Sequence, residues 1–252
     1  MERNVSSDEA EVRRLALRQL ADYRSHDPGT LFADPGPVMT IAEAYDIQLS
    51  VAARRRAEGE EWAGFKLGCT GPKVQAQLGL KGPVSGFLFD SELHRSGVRL
   101  KMADFSHLAV EAELATVLGA DLMPELAFPI IELHNHVLRS TPPQLAELVA
   151  NNGLHAGVVL PDSYDGWTHD PSPLSLTING ELVESVEIDP LLHVRAATAW
   201  LGDHLSRLGL TLSAGRLILT GTPLSLVDLT AGDSIQVSFG SGVVEARVDT
   251  HP

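Results

Sequence analysis

Two acids one residue apart, Glu111 and Glu113, stand in the otherwise apolar run VEAELATVLGADL, residues 110–122. On a strand, residues i and i+2 project to the same face, so the two carboxylates lie side by side with Ala112 and Leu114 behind them. Like charges on a partly buried face repel, and each also loses hydration. A neighbouring Lys or Arg, protonation of one carboxyl, or a metal ion would each compensate. An edge strand with its acids in water would avoid the cost altogether. Where carboxylates converge, a hard divalent ion such as Mg²⁺ suits best, because it takes carboxylates and water and leaves positions for substrate oxygens. Such a site needs another oxygen ligand. Glu132, the single acid in PIIELHNHV, is the best placed, whereas Asp121 and Glu125 fall in the turn-like GADLMPE.

Three other stretches could carry chemistry. In WAGFKLGCT, Lys66 sits between Gly64 and Gly68 among apolar residues. Buried there, it pairs with a carboxylate or serves a substrate anion; otherwise it is a surface lysine at a strand end. In NNGLHAG, residues 151–157, the Asn and Gly residues permit positive φ and bring backbone N–H groups close to a ligand. His155 is then an acid–base candidate, or simply a loop histidine. His134 and His136 flank Asn135 but lack a third nitrogen or sulfur ligand at a usual spacing, which ranks zinc below magnesium.

The elements that must position these residues can be read in outline. Ser6 with Glu9, and Thr40 with Glu43, have capping-box spacing ahead of EVRRLALRQLADY and IAEAYDIQLSVAARRR. Between these helices lies the Pro- and Gly-rich loop DPGTLFADPGPVMT. Pro72 opens a short helix stopped at Gly79, and Thr141 with Pro142 and Gln144 opens another. Asn179-Gly180 between LSLTI and ELVES signals a type I′ hairpin. HVRAATAWLGDHLSRLG reads as an amphipathic helix, and RLILT, SIQVSF and VVEARV as strands. The fold class is α+β: a helical N-terminal subdomain, residues 1–83, then a β-rich catalytic core, residues 84–252, forming one continuous unit. No dinucleotide fingerprint, P-loop or nucleophile elbow occurs.

Composition narrows the function. The net charge of −14, from 19 basic and 33 acidic residues, argues against nucleic-acid binding. No apolar run approaches the ~20 residues that span a bilayer, and the charged N-terminus does not read as a signal peptide. Cys69 is the only cysteine, which points to a cytoplasmic setting without disulfides.

Together these pieces resemble the 2-keto-4-pentenoate hydratase / 4-oxalocrotonate decarboxylase family of the fumarylacetoacetate hydrolase superfamily, over residues 40–249. The resemblance is carried by IAEAYDIQL, GFKLGCT, GFLFDSEL, VEAELATVLGADL, PIIELHNHV, VANNGLHAGVVL and AATAWLGDHLSRLGLTLSAGRLIL, in the family's order. It implies a mixed sheet or roll and a homo-oligomer. It implies Mg²⁺ or Mn²⁺ on Glu111, Glu113 and Glu132. Lys66, with Asp90 nearby, would work at the acid end of a small 2-oxo acid substrate. Leu67, Asn152, Gly153 and Thr222 would line the pocket, with His155 as a catalytic candidate. The implied reaction is hydration of a 2-hydroxy-2,4-dienoate through a metal-stabilised enolate, with decarboxylation of a 2-oxo-3-enedioate or C–C hydrolysis as alternatives and a non-catalytic homologue as a third. The chain departs from the hydratase pattern in four respects. Leu154 and His155 replace serines, Asn151 replaces an aspartate, Glu113 and Glu132 are closer in sequence than in typical members, and LTGTPLSLVDLTAGD resembles the hydrolase branch.

Overall fold

The computed structural model describes residues 5–25, 39–135, 137, 144–163 and 169–250, with backbone alone for 5–8. Helices α1 (Val5–Ser25) and α2 (Ile41–Ala57) lead into strand β1 (Trp62–Gly68) and the short helix α3 (Pro72–Leu78). Strands β2 (Val84–Phe89), β3 (Leu93–Arg95), β4 (Val98–Leu100), β5 (Leu108–Val117) and β6 (Phe128–Asn135) follow. Helix α4 (Leu145–Ala150) precedes β7 (His155–Leu160), β8 (Ser172–Ile178) and β9 (Glu181–Ile188). Helix α5 (Pro190–Arg207) then leads to β10 (Leu217–Leu219), β11 (Val227–Asp228), β12 (Ser234–Phe239) and β13 (Gly242–Val248).

Local chemistry accounts for most of these boundaries. Thr40 and Glu43 cap α2 reciprocally, the Glu43 carboxylate accepting from the Thr40 N–H at 2.7 Å. Helix α1 already begins at Val5, so Ser6 lies within its first turn rather than ahead of it. Most of the loop expected at 27–40, and Thr141 with Pro142, lie outside the described residues. Helix α4 is instead capped at Gln144, whose N–H donates to Glu147 at 2.9 Å. Asn179 and Gly180 both take positive φ, as the hairpin between β8 and β9 requires.

Two sheets form the core. The larger runs β2-β1-β10-β5-β6-β7-β3, with β11 also paired to β5; the smaller runs β4-β13-β12-β8-β9. β5 is therefore interior, flanked by β6 on one side and β10 and β11 on the other, and the edge-strand reading of its acids falls. β1 lies between β2 and β10, so the boundary expected at residue 83 runs through the larger sheet instead of beside it.

Strand alternation sorts the larger sheet into two faces. Val110, Ala112 and Leu114 pack outward onto Leu174, Val237 and Val244 of the smaller sheet. Phe65, Leu67 and Ile218 pack outward onto Ala197, Leu201 and Leu205 of α5. The other face turns in on itself. Leu88 of β2 joins Val158 and Leu160 of β7 in one cluster, although these strands are far apart in the sheet order, so the sheet is curled. Ala115 and Val117 share this inner face, as the strand phase of Glu111 and Glu113 requires.

The N-terminal helices brace the curl. The Tyr45 hydroxyl accepts from the Ser85 N–H at 3.1 Å, and the Gln48 amide donates to the carbonyls of Ser85 and Val149 at 3.0 and 2.7 Å. Helix α2 thus ties β2 to α4 through one buried amide. Among the described residues, no helix is long and apolar enough to cross a membrane. Replacing Gln48 by Ala leaves two buried carbonyls without that donor and is expected to lower unfolding stability by about 2 kcal/mol. Urea denaturation checks this, and a change below ~0.5 kcal/mol would mean the brace is not structural.

Candidate metal and substrate site

The register of β5 and β6 assembles the acids. Glu111 lies opposite Glu132, and Glu113 opposite Ile130, placing all three carboxylates on the inner face. Lys66 reaches the same face because β1 pairs Lys66 with Leu219, which in turn pairs with Ala115. Glu113 and Glu132 are wholly buried and Lys66 nearly so, while the Glu111 side chain keeps 23 % exposure. Lys66 Nζ stands 3.1 Å from Glu132 Oε1 and donates to the Gly153 carbonyl at 3.2 Å. His155 Nδ1 is 2.7 Å from the same Glu132 oxygen. His134 Nε2 lies 3.3 Å from Glu111 Oε2 and 3.4 Å from Glu132 Oε2.

These neighbours pull the proton affinities apart. Burial, then repulsion from Glu132 and Glu111, pushes the Glu113 carboxyl well above its usual range, and Lys66 offsets only part of this. Burial works the same way on Glu132, but Lys66 and then His134 outweigh it and hold that carboxyl well below the usual range. For Lys66, burial opposes the charge, and Glu132, Glu111 and Glu113 more than restore it. His134, desolvated but beside Glu132 and Glu111, is raised to about 9.

The residues fit a divalent ion. With three ionised acids, one lysine and a neutral His134, two negative charges are left over; a doubly charged cation matches them in place of the proton that His134 otherwise holds up to about 9. Two buried oxygens, Glu113 Oε1 and Glu132 Oε2, have no hydrogen-bond partner. Their opposite oxygens are engaged, Glu113 Oε2 accepting from the Gly221 N–H at 3.1 Å and Glu132 Oε1 facing Lys66 and His155. Oxygens left bare in a buried acidic site suit a hard cation; by ligand-atom spacing, Glu111 and Glu132 lie together with His134, and Glu113 stands beside that group.

Two loops close around the cluster. Asn152 clips its amide to both the N–H and the carbonyl of Phe87, at 2.7 and 2.9 Å, which fixes the 151–154 turn on β2. The Asn151 amide is hydrogen-bonded to Gln19 of α1. Gly153 has φ 64°, which favours glycine, and a Cβ there would crowd Lys66 Nζ at 2.8 Å and push it from its present place on the Gly153 carbonyl. Gly221, at φ 78°, is held as closely, since a Cβ would strike Thr70 at 2.3 Å. A cavity of about 450 Å³ opens beside the acids. Its wall includes Gly68, Thr70, Lys73, Glu111, Glu113 and Thr222. A second, of about 350 Å³, shares Thr70, Gly71, Thr222 and Pro223 with it and continues to Leu67 and Trp200.

The expected site residues divide accordingly. Lys66, Glu111, Glu113, Glu132 and Gly153 converge. Thr222 lines both cavities and Leu67 the second, with the Leu67 side chain packed in the outer core. Asn152 spends its side chain on Phe87 instead of facing the pocket. Asp90 does not join the cluster: it is exposed, and its carboxylate accepts from the N–H groups of Glu61 and Ser91 in a turn. The acid that turns inward is Glu92, two residues on, which binds Tyr23 and Arg55 at 2.6 Å each and stands 3.7 Å from His155 Nε2. His155 is buried between Glu132 and Glu92, with Nδ1 on the ligand candidate and Nε2 toward Glu92. Glu92 and His134 were missed as site residues. His134 follows from spacing, since it is i+2 from Glu132 and so shares its face; Glu92 is turned inward by the 3₁₀ turn over Asp90–Glu92, which spacing does not reveal.

No protein-family model matches the chain. A 2-hydroxyhexa-2,4-dienoate hydratase of Comamonas testosteroni is 31% identical over 79% of this chain and 83% of its own length. A 2-keto-4-pentenoate hydratase of Paraburkholderia phymatum is 30% identical over 95% of this chain and 98% of its own. Among solved structures, 4-oxalocrotonate decarboxylase from Pseudomonas putida G7, complexed with magnesium and adipate, superposes with TM-score 0.84 at 27% identity, over 95% of this chain and 97% of its own. A fumarylpyruvate hydrolase from Pseudomonas aeruginosa, at TM-score 0.58 and 17% identity over 76% of this chain and 90% of its own, shares the fold.

The cluster gives the metal-free protein a signed pH dependence. His134 binds its proton more tightly folded than unfolded, so its contribution is full below its ordinary value of 6.5 and is lost as pH rises through about 9. The raised Glu113 acts in the same direction. Thermal melts in EDTA are therefore expected to show Tm falling between about pH 6.5 and about pH 9. A Tm that holds or rises across that window would contradict the pairing of His134 with the acids.

Proposed function

Because the chain belongs to the 2-keto-4-pentenoate hydratase / 4-oxalocrotonate decarboxylase family, we propose that it is a divalent-metal-dependent hydro-lyase acting on a 2-hydroxy-2,4-dienoate. The observation that carries this reading is the set of three inward carboxylates beside the buried Lys66, with bare oxygens on Glu113 and Glu132 and with Glu111 and Glu113 on the wall of a cavity. We assign the metal to Glu111, Glu113 and Glu132, with Mg²⁺ or Mn²⁺ as the ion. An ion held there would act as a Lewis acid on the carboxylate and 2-oxo oxygens of the substrate and stabilise enolate charge.

The chain's own residues do the rest. An ammonium has three N–H donors; Lys66 directs two at Glu132 and Gly153, and the third serves the substrate's acid end. That contact orients the dienoate and favours its ionised form. The dienol gives up its O–H proton and takes one at C5, becoming a 2-oxo-3-enoate; water then adds hydroxyl at C4 and hydrogen at C3. His155 positions Glu132 rather than touching substrate, and Asn152 holds Gly153 in place for Lys66. Thr222 and Leu67 line the path inward. Self-association, supported by exposed Leu182 and Val183 on the edge strand β9, belongs to the proposal, as does a cytoplasmic setting. A monomeric mass by light scattering would remove the former, and export of the native protein from the cytoplasm the latter.

One observation favours a second reading, decarboxylation of a 2-oxo-3-enedioate. Lys73 is the cation on the wall beside the acids among the described residues, and it would meet a second carboxylate. Loss of CO₂ from that end leaves the same dienolate, so the two reactions share one charge-stabilising site.

Turnover of 2-hydroxypenta-2,4-dienoate is expected with Mg²⁺ or Mn²⁺, to vanish with EDTA and to return on adding the ion. Glu111→Gln, the variant least disturbing to the core, should lower kcat/KM by roughly 10²-fold. Activity untouched by both treatments, or no turnover of dienoate or enedioate with either ion, would remove the proposal. For the second reading, Lys73→Met should raise KM for the enedioate about tenfold and leave the dienoate unchanged; equal KM values for both substrates would count against it.

A further inference from the structure

We propose that His134 supplies an imidazole nitrogen to the metal centre, making it a mixed nitrogen–carboxylate site with a stronger preference for Mn²⁺ over Mg²⁺ than carboxylates alone confer. The inference rests on metal binding at the three carboxylates and concerns what else completes that site. Glu111, Glu132 and His134 each offer a ligand atom, and these atoms all lie within 4.8 Å of one another.

The strand pattern brings the imidazole there. His134 follows Glu132 by two residues on β6, on the same inner face, and lies opposite Ala109, whose methyl leaves room for a ring. The end of the strand is pinned next door, where the Asn135 side chain accepts from the N–H groups of Ser106 and His107 at 2.8 and 3.1 Å. His134 is 5% exposed, and its Nε2 has no hydrogen-bond partner although it points at two carboxylates.

The distances fit a shared ion better than a direct bond. A charge-assisted N–H···O bond closes to about 2.7–2.9 Å. Here the separations are 3.3 Å to Glu111 Oε2 and 3.4 Å to Glu132 Oε2. Adjacent ligands around an octahedral ion with bonds of about 2.1–2.3 Å stand roughly 3.0–3.3 Å apart. Glu132 divides its oxygens accordingly: Oε1 serves Lys66 and His155, while Oε2 is bare and faces His134. The lysine already counters Oε1, so the imidazole is not needed as that oxygen's counter-ion.

The nitrogen changes which ion is held. Mg²⁺ favours an all-oxygen shell with several waters, whereas imidazole suits first-row transition ions. Titration of the metal-stripped full chain with MnCl₂ and with MgCl₂ gives the affinity ratio. Pulsed EPR of the Mn²⁺ form, with ¹⁵N-labelled histidine as control, reads nitrogen coupling directly. Wild type is expected to show a histidine nitrogen coupled to Mn²⁺. His134→Leu should still bind Mn²⁺, lose that coupling, and show a Mn²⁺/Mg²⁺ ratio lowered roughly tenfold. Bound Mn²⁺ without histidine coupling in wild type, which needs no variant to fold, overturns the inference and leaves the carboxylate site standing. An unchanged ratio in His134→Leu likewise overturns it. No binding of either ion overturns the inference and the proposed function together.

Discussion

Lys66 and Glu132 meet at 3.1 Å in the interior of a curled sheet, both almost without exposure to water. Breaking such a pair by removing one partner typically costs ~3–5 kcal/mol, because the remaining charge stays buried. The pair is also incomplete as a neutral unit. Glu113 is equally buried with no cation of its own, and Glu111 lies across from Glu132 on the next strand. One lysine cannot neutralise three acids. The fold therefore holds concentrated negative charge in a place where only a further cation or bound protons relieve it, and this constraint shapes the surrounding structure.

The larger sheet meets it by separating its two faces. Outward side chains supply ordinary apolar packing, against the smaller sheet over β5 and β6 and against α5 over β1 and β10. That burial leaves the inner face free to carry costly polar groups. Around them, small residues and clipped loops control approach. Gly153 admits its carbonyl to Lys66, and Gly221 points its N–H at Glu113. Helices α1 and α2 hold the 151–154 turn and β2 through Gln19 and Gln48. A second ionic layer of Glu92, Arg55 and Tyr23 lies beneath His155 and stiffens the rear of the site.

Period-two alternation made the core of the site legible in the sequence. It put Glu111 and Glu113 on one face, and isolated acids and a lysine in apolar runs marked Glu132 and Lys66 as unusual. What escaped is non-local or depends on a turn. The pairing of β1 with β10 joins segments far apart in the chain, and nothing local foretold that Trp62–Gly68 would lie within the sheet. In FDSEL, a 3₁₀ turn over Asp90–Glu92 rotates the chain so that the second acid faces inward, which misdirected the choice of Asp90. His155, from sequence an acid–base candidate or a loop histidine, starts β7 with its ring against Glu132. His134 was weighed with His136 as a zinc pair, although its spacing from Glu132 is the same i+2 signal that singled out Glu111 and Glu113.

A solved decarboxylase complexed with magnesium shares this fold, and hydratases are among the sequence relatives. The claim underlying all of this is that the surplus negative charge on the inner face is met by an ion. Anomalous scattering from crystals grown with Mn²⁺ and oxalate tests it most directly. The expected result is one strong peak bounded by Glu111, Glu113 and Glu132, with the oxalate reaching toward Lys66. A map with no peak at the three carboxylates, and with Lys66 still closed on Glu132, would contradict it.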